Sequence, residues 1–419
     1  MRDYIDLFRR VIKIVRTDYV GTCESDRANK TGLLTQRLAM GILEGFGADT
    51  RLYNTVGLYL ASTRDPLVTF EVKQDVSGLS PYTRGFTVRS CGQKLFVDEA
   101  IVESRLEEGD EILELDGLDP LGLLSNYSPW VERDDPQARS WAPVICASNK
   151  ARVRHIHGGE ETIDLGRFPL TAPSSRVGVV EVGNGGGAVI VRLEQLNDAT
   201  AVQAFVANHS EELDSATRLT FDLRHCMGLS EGAVRALMPY LLAKPTALAD
   251  YLESRYIRRF SVDNCHCILS ELKNLRSMVE ADGEAPAWLK QVEDETRSHE
   301  GRGDVELELE ADLEFEEPVP PRGTATDVGV IIDKDCKGTG EVLALVAKDS
   351  PRAHVIGRAT SGSLGHFGSI RQEIAPGLAV SYPTCRYTDE ALQRLGTGHG
   401  IEPEDTLDWT PGVDWLTEL

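Results

Sequence analysis

Apolar residues recur at helical spacing at the start of the chain, where Tyr4, Leu7, Phe8, Val11, Ile12 and Val15 fall on one face. A second helix is expected near Leu33–Phe46, so residues 1–69 read as a helical region. From 70 to 170 the texture changes to short strands and turns. Beyond 171 it becomes β/α. Val177–Val182, Gly187–Arg192, Arg218–Arg224 and Val328–Ile332 read as strands, while Leu196–Leu213, Ser230–Leu242 and Val342–Ala347 hold helices. Alternation at these intervals predicts a largely parallel or mixed sheet. Residues 245–320 read as an insertion with a helix over Ile268–Val279. Its end, Asp304–Glu317, alternates apolar odd positions with acidic even ones and predicts a strand with one carboxylate face. That face is expected to be solvated and to discourage edge-to-edge pairing. Pro318-Val-Pro-Pro321 is expected to end the element as a linker.

Charge narrows the partners. The 419 residues carry 67 acidic and 44 basic side chains, a net charge of −23. Such a surface repels nucleic acid and anionic membrane. The charged N-terminus lacks the apolar core of a signal peptide, and no apolar run approaches the ~20 residues of a membrane span. Cytoplasmic localisation is the expectation. The eight cysteines are scattered, with Cys265-His266-Cys267 the only close pair, so free thiols are expected and no metal site or cofactor.

The most informative stretch is Asp333-Lys-Asp-Cys336-Lys-Gly338-Thr-Gly340-Glu341, between the strand Val328–Ile332 and the helix that follows. Strand, tight turn and helix is the geometry that exposes a nucleophile beside free backbone N–H groups. The stretch resembles the nucleophile turn of the C-terminal-processing (tail-specific) serine proteases, the family that includes the tricorn core protease. The form there is Asp-x-x-Cys-x-Ser-x-Gly-Glu. Every fixed position matches except the serine, where this chain has Gly338.

Further segments resemble the same family in the same order. Phe221-Asp-Leu-Arg224 with Gly228 is similar to Asp-Leu-Arg-x-Asn-x-Gly-Gly, a turn that lends an N–H to the oxyanion hole; Cys226 replaces the Asn and Leu229 the second Gly. Val355–Ser363 is similar to Gly-x-x-Thr-x-Gly-Lys, with Ser363 in the slot of the general-base lysine. Another branch uses a histidine in Asp-x-His-x-x-Phe; Asp65–Phe70 aligns with it and puts Leu67 in the histidine slot. Gly396–Glu404 resembles the closing Gly-x-Gly-Ile-x-Pro-Asp, and Tyr382–Arg386 fits the non-lysine branch. Leu106–Gly117 resembles a PDZ segment, and Thr83–Val88 its carboxylate-binding loop and first strand, with Gly85 and Phe86 as peptide-binding residues.

The resemblance implies a mixed α+β fold: a helical N-terminal cap (1–69), a PDZ-like β module (70–170) and a β/α core of the tail-specific protease type (171–419) with an acidic insertion at about 245–320. It also implies a serine-type peptidase scaffold without its serine, its lysine or its histidine. Glycine forms no acyl-enzyme, so proteolysis is expected to be lost. Gly228, Thr339, Gly340 and Ser361 remain as candidate oxyanion or ligand-binding residues, and His225, His366, His399 and Cys336 as candidate catalytic groups. Three readings stay open. One is a protease-dead protein that binds a peptide or protein C-terminus or another carbonyl or carboxylate compound. The second is an enzyme repurposed for a small biosynthetic intermediate through histidine acid–base chemistry. The third is a peptidase whose nucleophile has moved to Thr339 or Ser361. A homo-oligomer is compatible with each.

Overall fold

The strand Val328–Ile332 sits at the centre of a six-stranded sheet, with Val328, Val330, Ile331 and Ile332 fully buried. This is a computed structural model; it describes residues 3–417 apart from 24–29, 44–47, 74–76, 78–81, 128–130, 132, 134, 171–174, 184–186, 280–285, 309–312, 412 and 414. The sheet runs in the order Asp405–Thr406, Ala353–Gly357, Val328–Ile332, Arg218–Asp222, Ala188–Leu193, Gly178–Val182. All neighbours are parallel except the last pair. Near-continuous apolar strands of this kind need cover on both faces. Helices Ala199–Asn208, Glu231–Leu237 and Thr339–Lys348 share one core with these strands.

A second sheet is organised by the long strand Leu378–Tyr387. One edge pairs along its length with His366–Ala375. The other edge is shared: Thr69–Val72 takes residues 378–381 and Arg255–Phe260 takes 385–387. Gly303–Glu308 closes the sheet beyond Arg255–Phe260. The segment 245–320 therefore supplies two strands of this sheet as well as the helices Val262–Val279 and Ala287–His299.

The acidic strand is shorter than its pattern predicts. Pairing ends at Glu308, and Leu313–Glu316 is a helical turn; residues 309–312 lie outside the described set. The alternation holds while the strand lasts, with Asp304, Glu306 and Glu308 exposed. Its carboxylates meet the basic strand Arg255-Tyr-Ile-Arg-Arg-Phe260: Asp304 lies opposite Arg259 and takes two hydrogen bonds from its guanidinium, at 2.7 and 2.9 Å. Cross-strand charge pairing thus accompanies solvation on that face. Val319, inside the Pro-rich run, exchanges two backbone hydrogen bonds with Thr246.

Among the described residues, helices Tyr4–Thr17, Thr31–Leu43 and Ala48–Ala61 precede the first strand. Asp3 starts the first by accepting from the N–H groups of Ile5 and Asp6. The predicted face is the buried one: Leu7, Phe8, Val11, Ile12 and Val15 join a core that also holds Leu378, Val380 and Tyr382 of the second sheet. The same core continues into a third, antiparallel sheet, Phe86–Cys91, Lys94–Ala100, Glu111–Leu115, Lys150–Arg154 and Glu160–Asp164. Phe86–Cys91 is an edge strand of that sheet. Among the described residues no helix is long and apolar enough to cross a membrane.

A buried ion cluster fastens the third sheet to the six-stranded one. Arg89 is 3% exposed, meets Asp98 of the neighbouring strand at 3.1 Å and Asp333 of the nucleophile turn at 2.7 Å, and lies over the Trp409 ring at 5.3 Å. Lys334 approaches Asp98 at 3.5 Å. Removing one partner of a buried pair strands the others. Arg89→Ala is therefore expected to destabilise the protein by about 3–5 kcal/mol, read as a drop in the urea midpoint; an unchanged midpoint contradicts this role for the cluster.

Candidate active site

The turn after Val328–Ile332 ends at Gly338, which caps helix Thr339–Lys348 with φ 59° and ψ −124°. That conformation is strained for any L side chain. The space is closed as well: a Cβ built on Gly338 would lie 2.1 Å from the carbonyl oxygen of Gly228. The turn expected to offer an oxyanion donor points a carbonyl at the nucleophile slot. Gly228 is held there by parallel pairing of Met227–Gly228 with Gln195–Leu196. Lys337 N–H donates to the Cys226 carbonyl at 2.8 Å, which fastens the two turns together.

The Gly338 N–H is engaged. It donates to the Ser363 hydroxyl at 2.7 Å and to the Glu341 carboxylate at 3.1 Å. Glu341 is fully buried and also accepts from Thr360 Oγ1 at 2.6 Å, the Gly362 N–H at 2.8 Å, the Ser363 N–H at 3.0 Å and the Ser363 hydroxyl. Burial pushes this carboxyl up, against the pull of its donors. Ser363, in the lysine slot, is thus a hydrogen-bonding bridge between the turn and Glu341. Sequence reading carried Glu341 only as a motif position. Its part as a hub follows from the short hydroxyl at Ser363 and the turn Thr360–Ser363, which only the folded chain brings over it.

Cys226 and Cys336 are both fully buried, and burial raises both thiols. Gly340 fits between them: a Cβ there would lie 3.0 Å from the Cys336 sulfur and 3.2 Å from that of Cys226. Cys336 therefore packs behind the turn. Thr339 is 5% exposed, with its hydroxyl 3.5 Å from the Leu196 carbonyl.

The three candidate histidines have different partners. His366 Nδ1 meets Asp65 at 2.7 Å, and the Tyr19 hydroxyl donates to the same carboxylate oxygen at 2.9 Å. Leu67, in the histidine slot, is half-buried, and its N–H donates to the other Asp65 oxygen at 2.9 Å. His225 is exposed, 3.6 Å from Glu99, and lines a cavity of about 380 Å³ with Asp222, Arg224 and Trp415. His399 lines a larger cavity of about 880 Å³.

That larger cavity lies between helix Ala48–Ala61, the edge strand Phe86–Cys91 and the nucleophile turn. Lys334, Asp335, Lys337, Thr360 and Ser361 form its wall on the turn side, and neither Gly338 nor Gly228 lines it. The Ser361 hydroxyl is buried with no hydrogen-bond partner. Phe86 lines the cavity from the other side. Gly85 is occupied: its N–H donates to Thr83 Oγ1 at 3.1 Å and its carbonyl accepts from Ile101, Val102 and Glu103. Burial opposes ionisation of Asp335, but Lys334 at 2.5 Å together with Lys337 outweighs it and holds the carboxyl down to about 2. No group of three or more His, Cys, Asp or Glu that could hold a metal ion is assembled among the described residues.

Residues 187–407 match the model of peptidase family S41. No curated protein matches the sequence. Among solved structures, mature CPAF complexed with lactacystin is similar at a TM-score of 0.59 and 13% identity, covering 97% of this chain and 94% of that one. Mature CPAF alone gives 0.56 at 13% identity over 97% and 93% of the two chains. The photosystem II D1 C-terminal processing protease gives 0.40 at 16% identity, over 97% and 94%.

Two measurements test the site. Gly338→Ser is expected to destabilise the fold by on the order of 3 kcal/mol, from left-handed strain plus the clash with Gly228; equal thermal midpoints for the two proteins contradict the closed slot. Asp335 has a lowered pKa, so its stabilisation is present above pH ~4 and lost as pH falls toward about 2. Asp335→Asn should therefore flatten the fall in denaturant midpoint across that window and leave the slope at neutral pH unchanged.

Proposed function

Because the chain belongs to peptidase family S41, we propose that it is a member that no longer cleaves peptide bonds and instead holds a peptide or protein C-terminus in the 880 Å³ cavity beside the nucleophile turn. One observation carries the reading: the Gly228 carbonyl lies 2.1 Å from where a side chain on residue 338 would begin. Acyl transfer needs a nucleophile, a base and donors for the developing oxyanion in one place. Here the nucleophile position is glycine, the neighbouring N–H is spent on Ser363 and Glu341, and an acceptor faces the slot where a donor would work. A pseudoenzyme follows from those three losses together.

Binding is supported by what remains open. The cavity is within the ~300–1,000 Å³ of ordinary ligand pockets. It offers apolar walls from Tyr53, Phe70, Phe86 and Trp141 and cations from Lys334 and Lys337. It also borders the edge strand Phe86–Cys91, the position from which a PDZ-like sheet accepts an added peptide strand. A displaced nucleophile has less support. Thr339 is packed against Leu196, and the Ser361 hydroxyl has no base hydrogen-bonded to it.

A second reading has one observation on its side. The buried Asp65–His366 pair, backed by Tyr19, is the arrangement that orients a general base in hydrolases. That histidine serves the repurposed-enzyme reading if a small carbonyl compound is turned over.

The purified protein is expected to leave C-terminally apolar peptides and unfolded casein uncleaved, and to take no label from a fluorophosphonate. Gly338→Ser should recover no turnover, since neither a base nor an open slot is supplied. Robust cleavage by the unmodified chain overturns the reading, and its loss in Ser361→Ala would then locate the moved nucleophile.

A further inference from the structure

The smaller cavity, about 380 Å³, lies beyond the carboxyl ends of the parallel strands Ala188–Leu193, Arg218–Asp222 and Val328–Ile332, where Leu193, Asp222 and Asp333 line it. Ligands of open parallel sheets bind on that side. Strand Lys94–Ala100 of the third sheet and the tryptophans Trp409 and Trp415 complete the wall, and no lining residue is shared with the large cavity. The wall is acidic: Asp98, Glu99, Glu108, Glu194, Asp222 and Asp333 stand against three arginines. Those arginines are committed, Arg89 to Asp98 and Asp333, Arg224 to Asp222 at 2.7 Å and Arg192 to Glu181 at 3.3 Å. Two further atoms of the wall are buried without a hydrogen-bond partner. Trp415 is 2% exposed, and its indole N–H donates to nothing. Glu194 gives one carboxylate oxygen to Arg176 at 2.7 Å, and its other oxygen accepts from nothing. An orphaned donor and an orphaned acceptor in one cavity each carry a desolvation cost that a complementary occupant would remove.

We infer that this cavity is a second binding site, for a small primary amine whose carbon chain also carries a hydrogen-bond acceptor such as an amide carbonyl. The ammonium donates to the second oxygen of Glu194, and the acceptor takes the Trp415 N–H. Charge selects the cation. An anion would face six carboxylates in a protein of net charge −23, and the arginines that could hold it are already paired. Glu99, 49% exposed, has only His225 near it, at 3.6 Å, and adds to the pull on a cation. Guanidiniums already lie over both indoles, Arg89 at 5.3 Å from the Trp409 ring centre and Arg224 at 6.0 Å from that of Trp415, so the wall accommodates positive charge close to its rings. Leu193 and Val413 offer the methylenes an apolar surface. The volume is near the lower end of the ~300–1,000 Å³ of ordinary ligand pockets, which suits one molecule of lysine size.

The test titrates Nα-acetyl-lysine N-methylamide into the full chain, followed by calorimetry and by NMR of the indole N–H resonances. Two controls remove one feature each: Nα-acetyl-norleucine N-methylamide lacks the ammonium, and pentylamine lacks the acceptor. The lysine compound should bind about tenfold more tightly than the norleucine compound, the size of one charge-assisted contact, and severalfold more tightly than pentylamine. The Trp415 resonance, identified by its absence in Trp415→Phe, should shift on binding. Trp415→Phe should lower the affinity to that of pentylamine, and Glu194→Gln should lower it to that of the norleucine compound. Equal affinity for the lysine and norleucine compounds, or no binding up to about 10 mM, overturns the site. Binding that leaves every indole resonance in place also overturns it, since the cation is then held elsewhere on the acidic surface. If Trp415→Phe does not fold, Glu194→Gln at its partly exposed position and the ranking of the three compounds on the unmodified protein still decide.

Discussion

The Glu341 carboxylate is the interaction on which the candidate site depends. It draws in donors from Gly338, Thr360, Gly362 and Ser363, so the helix start and the turn after strand Ala353–Gly357 are held by one buried carboxyl group. These donors favour the charged form, but burial outweighs them and pushes the carboxyl up. The same bonds fix Gly338 in a backbone conformation only glycine adopts without strain. The space beside Gly338 is closed by the Gly228 carbonyl. Around this turn the Ser363 hydroxyl bonds to Gly338 and Glu341, and the Gly228 carbonyl faces Gly338.

Much of this was legible in the sequence, and the legible part follows a rule. The strand Val328–Ile332 announces itself because it is buried on both faces and reads as an apolar run between turns, whereas Arg218–Asp222 is legible from alternation, with Leu219 and Phe221 buried and Arg218 exposed. The helical start was legible because its apolar face is the buried one. The acidic segment shows where periodicity stops being informative: alternation continues to Glu317, but a strand lasts only while its partner does, and the partner runs from Arg255 to Phe260. Local pattern carries no record of a partner's length.

The site itself was half legible. Gly338, Gly228 and Ser363 could be aligned by motif, and the folded chain brings them together. What each backbone group faces could not be read. The direction of the Gly228 carbonyl is set by its pairing with Leu196, some thirty residues earlier. The histidines illustrate the same limit. His225, His366 and His399 share a neighbourhood of motifs yet reach three different environments, because strand direction and turn geometry, rather than spacing along the chain, decide where each ring points.

The shared edge of strand Leu378–Tyr387 bears on how the molecule is made. Thr69–Val72 finds its partner more than three hundred residues downstream, at Leu378–Ser381. The N-terminal helices bury their apolar face in a core that includes the same late strand. During synthesis these early segments therefore wait, with apolar surface uncovered, until nearly the whole chain has left the ribosome. Closing such a long loop is the slow kind of folding step. The chain is thus ordered as a clasp, with its first strand and one of its last forming the two halves of the catch.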